Sequence, residues 1–450
     1  MTGSGSSGST ASSRPARGDL TWLWVMGVAA ILTQTSLNLL RPVTSYRLIE
    51  IGADEAAIGL ATAAYAILPL FTAMWLGRST ARLPSLRGII ALGAAVMAIS
   101  GVGLALGQSV PVIMVASAVL GMGHLVFTIA GQAAIGRRAP AHLMDAAFGW
   151  FTAAFSVGQM AGPLLSGLIL GNTTLAESAT DAGFDDRITA SLWLGAGISL
   201  LAVPVMLALR PDGGSARRRS TTDPDDGLAP QATRGTSGEE TASGTASAAG
   251  AEGRPTMLAI LKVPGIPSHM FAALALLAML DILTAFMPLV GERAGVAPFW
   301  VGVLLAVRGG FSVLSRVFLP WISRRWTRNS LILVSLLVSA VGIGLVPVAL
   351  TVWQSMLLAV LFMAAGGFVL GLGQPLTMTQ ISQAVPYTWR GPALALRLVG
   401  NRVGQVALPA LAGLVAAPLG PAAGVWFACL VLAASGVERV ISGRTGPDRS

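Results

Sequence analysis

The chain alternates between long apolar runs and short polar connections along most of its length. Twelve runs of about 20 mainly apolar residues are each long enough to cross a hydrocarbon layer of roughly 30 Å as an α-helix. They lie near residues 21–40, 57–77, 88–107, 111–133, 147–171, 190–209, 268–290, 299–319, 329–350, 353–377, 393–416 and 420–437. The pattern predicts an all-α membrane protein with twelve transmembrane helices.

Composition agrees with this prediction. Hydrophobic residues make up 54% of the 450 residues and charged residues 11%, whereas roughly 25% of a soluble domain is charged. Mean hydropathy is +0.71. The one cysteine, Cys429, lies in the last apolar run, which excludes an intrachain disulfide and a cysteine-based metal site. We expect no metal and no cofactor.

The net charge of +9 suggests nucleic acid until the arginines are placed along the chain. They gather in the connections on one side of the predicted membrane, namely Arg78, Arg82, Arg87, Arg137, Arg138, Arg324, Arg325, Arg328 and Arg390. The first connection on the other side carries Glu50, Asp54 and Glu55 instead. This positive-inside distribution predicts a multi-pass protein of the plasma (inner) membrane with both termini cytoplasmic, and it makes nucleic-acid binding unnecessary.

The apolar runs fall into two groups of six. Residues 210–257 between them are rich in Ser, Thr, Gly and Ala and poor in large apolar side chains, which predicts a disordered cytoplasmic linker. The predicted bundles span 21–209 and 258–438, with cytoplasmic tails at 1–20 and 439–450.

The two halves repeat one another. Three pairs of segments match at offsets between 246 and 250: "SVGQMAGPLLSGL" (156–168) with "RVGQVALPALAGL" (402–414), "VLGMGH" (119–124) with "VLGLGQ" (369–374), and "RPVTSYR" (41–47) with "MPLVGER" (287–293). Pro163 of helix 5 aligns with Pro409 of helix 11. The matches predict two pseudo-symmetric six-helix bundles built by duplication.

Polar residues avoid every third helix. Helices 3, 6, 9 and 12 have no charged residue in their apolar cores, which predicts lipid-facing supports. A charge at membrane depth is costly unless it meets a partner or water, so the polar residues of the other helices predict a central cavity. Its candidate lining residues are Gln34, Asn38, Arg41, His124, Arg308, Gln374, Arg397 and Asn401.

Asp281 is the one carboxylate predicted well inside a helix. Helical spacing places it on a small, partly polar face with Thr284 and Ala285. Two interpretations stay open: a group that binds a coupling proton, or a permanent ion-pair partner of Arg308 or Arg397. A pair that opens during a transport cycle satisfies both.

The arginines outnumber this carboxylate. One carboxylate cannot neutralise several guanidinium groups, so the remainder either reach water and backbone carbonyls in gating networks or bind an anionic or zwitterionic substrate. Arg397 shares a helix face with Asn401 and Gly404, whereas Arg402 points about 140° away and is predicted to pair between the halves. Arg41, at the predicted outer end of helix 1, is either a site residue or a snorkelling side chain.

Two six-helix halves, a cytoplasmic linker and an apolar third helix in every triplet resemble the major facilitator superfamily. Its loop between helices 2 and 3 is matched by Gly77 and Arg82, with Ala81 and Pro84 as departures, and Arg325 lies at the corresponding place in the second half. Helix 5 resembles the exporters of the superfamily in the spacing of Gly149, Gly158, Gly162, Pro163 and Gly167. The alternative interpretation of this stripe, together with Gly404 and Pro409, is helix packing.

The resemblance implies a secondary active transporter that moves a small organic molecule by alternating access, with no enzymatic activity. We expect proton-coupled efflux with Asp281 as the coupling group, acting as a monomer in the lipid bilayer. Two alternatives stay open: uptake or facilitated diffusion of an organic anion, and a receptor or sensor that does not transport.

Overall fold

The computed structural model describes residues 21–83, 85–139, 143–172, 183–208, 257–386 and 389–445. Within these ranges twelve long helices form, each long and apolar enough to cross a membrane. They are α1 (Thr21–Glu50), α2 (Glu55–Arg82), α3 (Arg87–Leu106), α4 (Val110–Arg138), α5 (Met144–Leu170), α6 (Gly183–Leu207), α7 (Ile266–Arg293), α8 (Pro298–Ile322), α9 (Arg328–Thr351), α10 (Met356–Gln383), α11 (Arg390–Leu419) and α12 (Pro421–Thr445). A five-residue helix, Met257–Leu261, precedes α7. The all-α, twelve-helix prediction is confirmed.

Some predicted segments fall outside the described residues. These are the tail at 1–20 and the linker at 210–257, apart from its last residue. The predicted tail at 439–450 starts too early, because α12 continues to Thr445.

The largest boundary difference concerns α1, which continues ten residues past the predicted end at residue 40. Polar residues lower the hydropathy there, but they lie inside the protein rather than in a loop. Thr44 Oγ1 donates to the Leu40 carbonyl at 2.7 Å. Arg47 is buried and ion-pairs with Asp185 of α6. Partners within the bundle for Thr44 and Arg47 therefore allow the helix to continue through this polar segment.

Helices α1–α6 form one bundle and α7–α12 the other. The main contacts of α3, α6, α9 and α12 are with helices of their own half. That these helices face lipid stays a prediction. Small hydroxyl side chains join the helices inside each half. Ser36 Oγ donates to the Gly195 carbonyl at 2.6 Å and accepts from Ser199 at 2.7 Å, and Ser335 Oγ donates to the Val369 carbonyl at 2.6 Å. Such residues let transmembrane helices approach closely.

The two halves meet along α5 with α8 and along α2 with α11. We call the side that carries the α2–α3, α4–α5, α8–α9 and α10–α11 connections the linker face, and the other side the opposite face. At the opposite face Gly167 packs on Gly302, and the backbone N–H of Phe299 donates to the Gly171 carbonyl at 3.1 Å.

The second contact between the halves also lies at the opposite face. Gly59 of α2 packs against Gly413 and the Pro409 carbonyl of α11, where a Cβ on Gly59 would lie 2.5 Å from that oxygen. Arg293 of α7 ion-pairs with Glu55 of α2 at 3.0 Å. Glycine at both crossings lets the backbones touch, so the halves are fastened together at this face.

Candidate substrate and proton site

A cavity of about 190 Å³ lies between the two halves. Its charged lining residues are Arg41 (α1), Asp281 (α7), Arg308 (α8) and Arg402 (α11). The neutral lining residues are Gln34, Leu37, Asn38, Tyr65, His124, Phe155, Gln159, Leu277, Leu280, Thr284, Leu398, Asn401 and Gln405. This volume is room for a small molecule.

An ion pair between the halves crosses this cavity. Arg41 Nη1 lies 2.7 Å from Asp281 Oδ1, and the two side chains are 16% and 6% exposed. The guanidinium also lies over the ring of Tyr65, 4.8 Å from its centroid. Because α1 continues beyond residue 40, Arg41 lies at mid-helix. The snorkelling alternative and the prediction that Asp281 pairs with Arg308 or Arg397 are both wrong.

Asp281 is also tied to α11. Its Oδ2 accepts a hydrogen bond from Gln405 Nε2 at 2.7 Å, and Gln405 Oε1 accepts from Arg402 Nη1 at 2.9 Å. Arg402 therefore lines the cavity, and its described hydrogen bond is within its own helix rather than across the halves as predicted. Sequence reasoning missed Gln405, although it aligns with Gln159, another cavity residue, in the repeated "VGQ" sequence.

A second hydrogen-bonded group lies in the first half. His124 Nδ1 is 2.5 Å from the Tyr65 hydroxyl, and its Nε2 is 2.9 Å from Gln34 Nε2. The Gln34 amide donates, so Nε2 accepts and Nδ1 carries the proton of a neutral imidazole. Tyr65 was not predicted, since a lone tyrosine in an apolar run gives no periodic signal. It links this group to Arg41.

Arg308 is the cation with the least compensation. It is 4% exposed, packed under Gly367 of α10, and lines the cavity. Within the described part of the chain, no side chain or carbonyl forms a hydrogen bond or ion pair with it. A buried guanidinium without a partner is expensive, so a ligand group is the natural complement.

The predicted lining set divides in two. Gln34, Asn38, Arg41, His124, Arg308 and Asn401 line the cavity, whereas Gln374 and Arg397 do not. Arg397 instead donates to Gln374 Oε1 at 3.4 Å. The preference for Arg397 over Arg402 as a cavity residue is therefore wrong. Arg397 and Arg402 are only five residues apart on α11, and the packing of α11 against its neighbours decides which of them faces the cavity.

The sequence profile of the major facilitator superfamily matches residues 26–391. This chain belongs to the major facilitator superfamily. It is a multi-pass membrane protein of a transporter family rather than an enzyme. No curated protein matches the sequence.

Three solved structures similar to this chain are described as transporters. A mutant of the nucleoside transporter NupG has a TM-score of 0.71 at 13% identity, covering 94% of this chain and 99% of that chain. A D-xylose-proton symporter has 0.69 at 15%, covering 94% and 97%. A bacterial homolog to the human lysosomal transporter Spinster, inward-facing and occupied, has 0.65 at 16%, covering 94% and 96%. Identities this low show the superfamily fold alone.

The glycines of α5 that have exporter-type spacing contact different neighbouring helices. Gly158 and Gly162 pack on the backbone of α1, next to Thr35, and Gly167 packs on α8. No atom lies within 4 Å of a Cβ built on Gly149. Gly404 of α11 packs on Leu274 of α7. Most of the stripe therefore places α5 and α11 close to their neighbours, which positions the cavity residues on α1, α7 and α8.

The loop motif of the superfamily lies at the linker face. Gly77 and Arg82 belong to the last turns of α2. Arg137 of α4, which was not predicted as a motif partner, donates to the Leu83 carbonyl at 2.7 Å and so caps the end of α2. In the second half Arg325 lies over the ring of Trp321, 5.1 Å from its centroid. The side chains of Arg137 and Arg325 do not line the cavity and contact the ends of helices.

Proposed function

We propose that the protein is a secondary active transporter of a small organic anion, which it moves together with one proton by alternating access between its two halves. One observation carries the proposal. Three guanidinium groups, of Arg41, Arg308 and Arg402, meet one carboxylate, of Asp281, among the described residues that line the cavity. The uncompensated charge is complementary to an anion.

The cavity also limits the kind of anion. At about 190 Å³ it holds a compact molecule rather than a peptide or a lipid. Phe155, Leu277 and Leu280 supply apolar contact area, while Asn38 and Asn401 supply amide donors and acceptors. This combination favours a small carboxylate with a partly apolar body over an inorganic ion.

Arg308 and Arg402 are proposed to hold the substrate, because Arg41 is already engaged by Asp281. An anion bound beside Asp281 repels its carboxylate. For two unit charges roughly 7 Å apart at an effective dielectric constant of about 20, the repulsion is about 2 kcal/mol. Protonation of Asp281 removes this repulsion, so the anion and the proton each favour the binding of the other.

The favourable coupling between proton binding and anion binding determines whether the two are moved in the same direction or in opposite directions. Partners that favour each other's binding travel together, whereas antiport requires that they compete for the site. Protonation of Asp281 also weakens the Arg41–Asp281 ion pair. Because this pair joins α1 of one half to α7 of the other, its position supports a role as a gating contact. We therefore place co-transport of proton and anion ahead of the proton-coupled efflux expected from the sequence.

Efflux by antiport remains the second candidate, because the spacing of the α5 glycines resembles that of exporters. It requires that protonation of Asp281 expels the substrate, which suits a cationic or zwitterionic molecule better than an anion. The two candidates differ in the direction of proton movement.

The test uses the purified protein in proteoliposomes with an imposed pH gradient. A panel of small carboxylates is compared with their neutral amides, and a pH-sensitive dye inside the vesicles records proton movement. We expect carboxylates alone to accumulate, on the alkaline side, with protons moving in the same direction. Arg308→Gln should lower the apparent affinity about tenfold or more, because a charge-assisted hydrogen bond is lost.

Arg316→Gln is the matched control, since Arg316 lies on the same helix but donates to Ser156 Oγ at 3.2 Å and does not line the cavity. Equal transport of amides and carboxylates would overturn the anion assignment. Proton movement against the substrate would favour the antiport candidate. Accumulation that ignores the gradient would exclude both.

A further inference from the structure

A second polar cavity lies at the linker face, inside the second half. It measures about 520 Å³ and lies where α7 and α9 begin and α10 and α12 end. We call it the linker-face pocket. Its principal polar lining residues are Ser268, His269, Asn329, Gln380, Gln383 and Arg439. It shares no described lining residue with the central cavity, so transport does not account for it.

Arg439 is the anchor of this pocket and is 7% exposed. It donates to His269 Nδ1 at 3.0 Å and to Asn329 Oδ1 at 2.6 Å, and it also donates to Gln380 Oε1. Gln380 in turn donates to Asn329 Oδ1 at 3.1 Å. Neutral acceptors from three other helices thus orient the guanidinium.

Donor groups in the pocket remain unused. Ser268 is 7% exposed, and its hydroxyl has no hydrogen-bond partner among the described residues. The Nε of Arg439 likewise has none. Because His269 Nδ1 accepts from Arg439, its Nε2 carries the ring proton and can donate. Unsatisfied buried polar groups are costly, and in a pocket they are satisfied when a ligand binds.

Backbone polarity adds to these donors. Ser268 and His269 lie in the first turn of α7, a helix of 28 residues, and Asn329 lies in the first turn of α9. Helix N-termini carry partial positive charge and bind oxyanions. The described lining has no carboxylate of its own, but Glu438 is adjacent: it accepts from the lining residue Ser442 at 2.7 Å, and its negative charge acts on both Arg439 and His269.

The first half is built differently at its linker-face end. An apolar cluster, with the buried residues Met26, Leu86, Ile90, Ala134 and Met206, packs there. Because the halves are duplicated, a six-helix bundle of this type does not need a polar pocket at this position. The polar substitution in the second half therefore calls for a role of its own.

We propose that the linker-face pocket binds a phosphate group, carried either by a soluble phosphate compound or by the headgroup of an anionic phospholipid. A guanidinium, an imidazole N–H and a serine hydroxyl supply donors that phosphate oxygens accept, and the partial positive charge of two helix N-termini adds to their attraction. The position at the end of the bundle is accessible both from water and from the headgroup layer. The ligand would bridge α7, α9, α10 and α12 and hold the end of the second half together.

The experiment measures binding by the full-length protein, purified in detergent free of phospholipid. Inorganic phosphate is titrated with calorimetry and with thermal unfolding as readouts. We expect saturable binding that raises Tm. Arg439→Gln should weaken phosphate binding about tenfold or more, since charged hydrogen bonds are lost, and Ser268→Ala a few-fold.

Arg325→Gln is the charge-matched control, because this exposed linker-face arginine does not line the pocket; the variant's phosphate affinity should stay within about twofold of the wild type. If Arg439→Gln does not fold, Ser268→Ala and Gln383→Leu carry the test, since both remove a donor but leave the guanidinium contacts to α7 and α9.

A second arm separates the two sources. The protein is placed in phosphatidylcholine nanodiscs with or without phosphatidylglycerol, and bound lipid is detected by native mass spectrometry. Retention of phosphatidylglycerol that inorganic phosphate cannot displace identifies a headgroup site, whereas phosphate binding without lipid retention identifies a soluble ligand. Absence of both, or equal binding by the wild type and all three pocket variants, would overturn the proposal.

Discussion

The coupling role of Asp281 can be tested by one isosteric change. Asp281→Asn keeps the size of the side chain, and its amide oxygen can still accept from Arg41, which lies 2.7 Å from the carboxylate in the wild type. The change removes the negative charge and the ability to bind a proton. It therefore imitates the protonated state permanently.

The size of the effect follows from the site. Asp281 is the single carboxylate among the described cavity-lining residues, so one proton accompanies one anion. Each pH unit then supplies about 1.4 kcal/mol, or about a tenfold accumulation, and a gradient of about two units supplies about a hundredfold. A proton moving with a monoanion carries no net charge, so an imposed membrane potential should not change this value.

Asp281→Asn should lose the accumulation completely and equilibrate its substrate across the vesicle. Exchange of internal for external substrate should continue. Affinity for the anion should equal or exceed that of the wild type, because a repulsion of about 2 kcal/mol is gone. Retained affinity separates this mechanism from misfolding, which would weaken binding.

Glu55→Gln is the matched control. It removes the carboxylate of a second ion pair between the described parts of the halves, which joins Glu55 to the largely exposed Arg293 at 3.0 Å. Such a pair contributes about 0–1 kcal/mol, so accumulation should persist. The reasoning is refuted if Asp281→Asn still concentrates substrate in response to pH, or if it binds the anion more weakly than the wild type.

Two further predictions concern the path of the chain and the contact between its halves. Gly302→Val should abolish transport while leaving each half folded, because a Cβ there would lie 2.4 Å from the Pro163 carbonyl oxygen and hold the opposite face apart; substrate flux beside circular dichroism checks this. A single cysteine introduced at Ser323 should react with an impermeant maleimide from the cytoplasmic side, and one introduced at Gln354 should react from outside. The native Cys429 is buried and should not react. The reverse labelling would disprove the predicted orientation.

Much of the fold could be predicted from the sequence. A bilayer requires every spanning segment to be a long apolar helix, so hydropathy alone predicts their number. A charged side chain that faces lipid is costly, so the absence of charges from every third apolar run led to the prediction that α3, α6, α9 and α12 are supports. Offsets between repeated segments predicted the two halves.

The cavity lining was only partly predictable. Gln34, Asn38 and Arg308 were recognised because a polar residue in an apolar run has few explanations. Tyr65 escaped notice because tyrosine is ordinary in such helices. Arg41 was placed at a helix end, since hydropathy falls there, although α1 continues to Glu50 and buries Thr44 and Arg47 inside the bundle.

The sequence by itself determined the number and approximate positions of the helices, their apolar character and the polar groups that they must bury. The tertiary structure decided which of those groups meet. Arg41 and Asp281 are 240 residues apart and belong to different halves, and their contact depends on how closely α1 and α7 cross. Likewise Arg402 faces the cavity and Arg397 does not because of the rotation of α11 against its neighbours. Helical period relates residues within one helix, whereas pairing between helices is set by packing at glycine crossings such as Gly59 with Gly413.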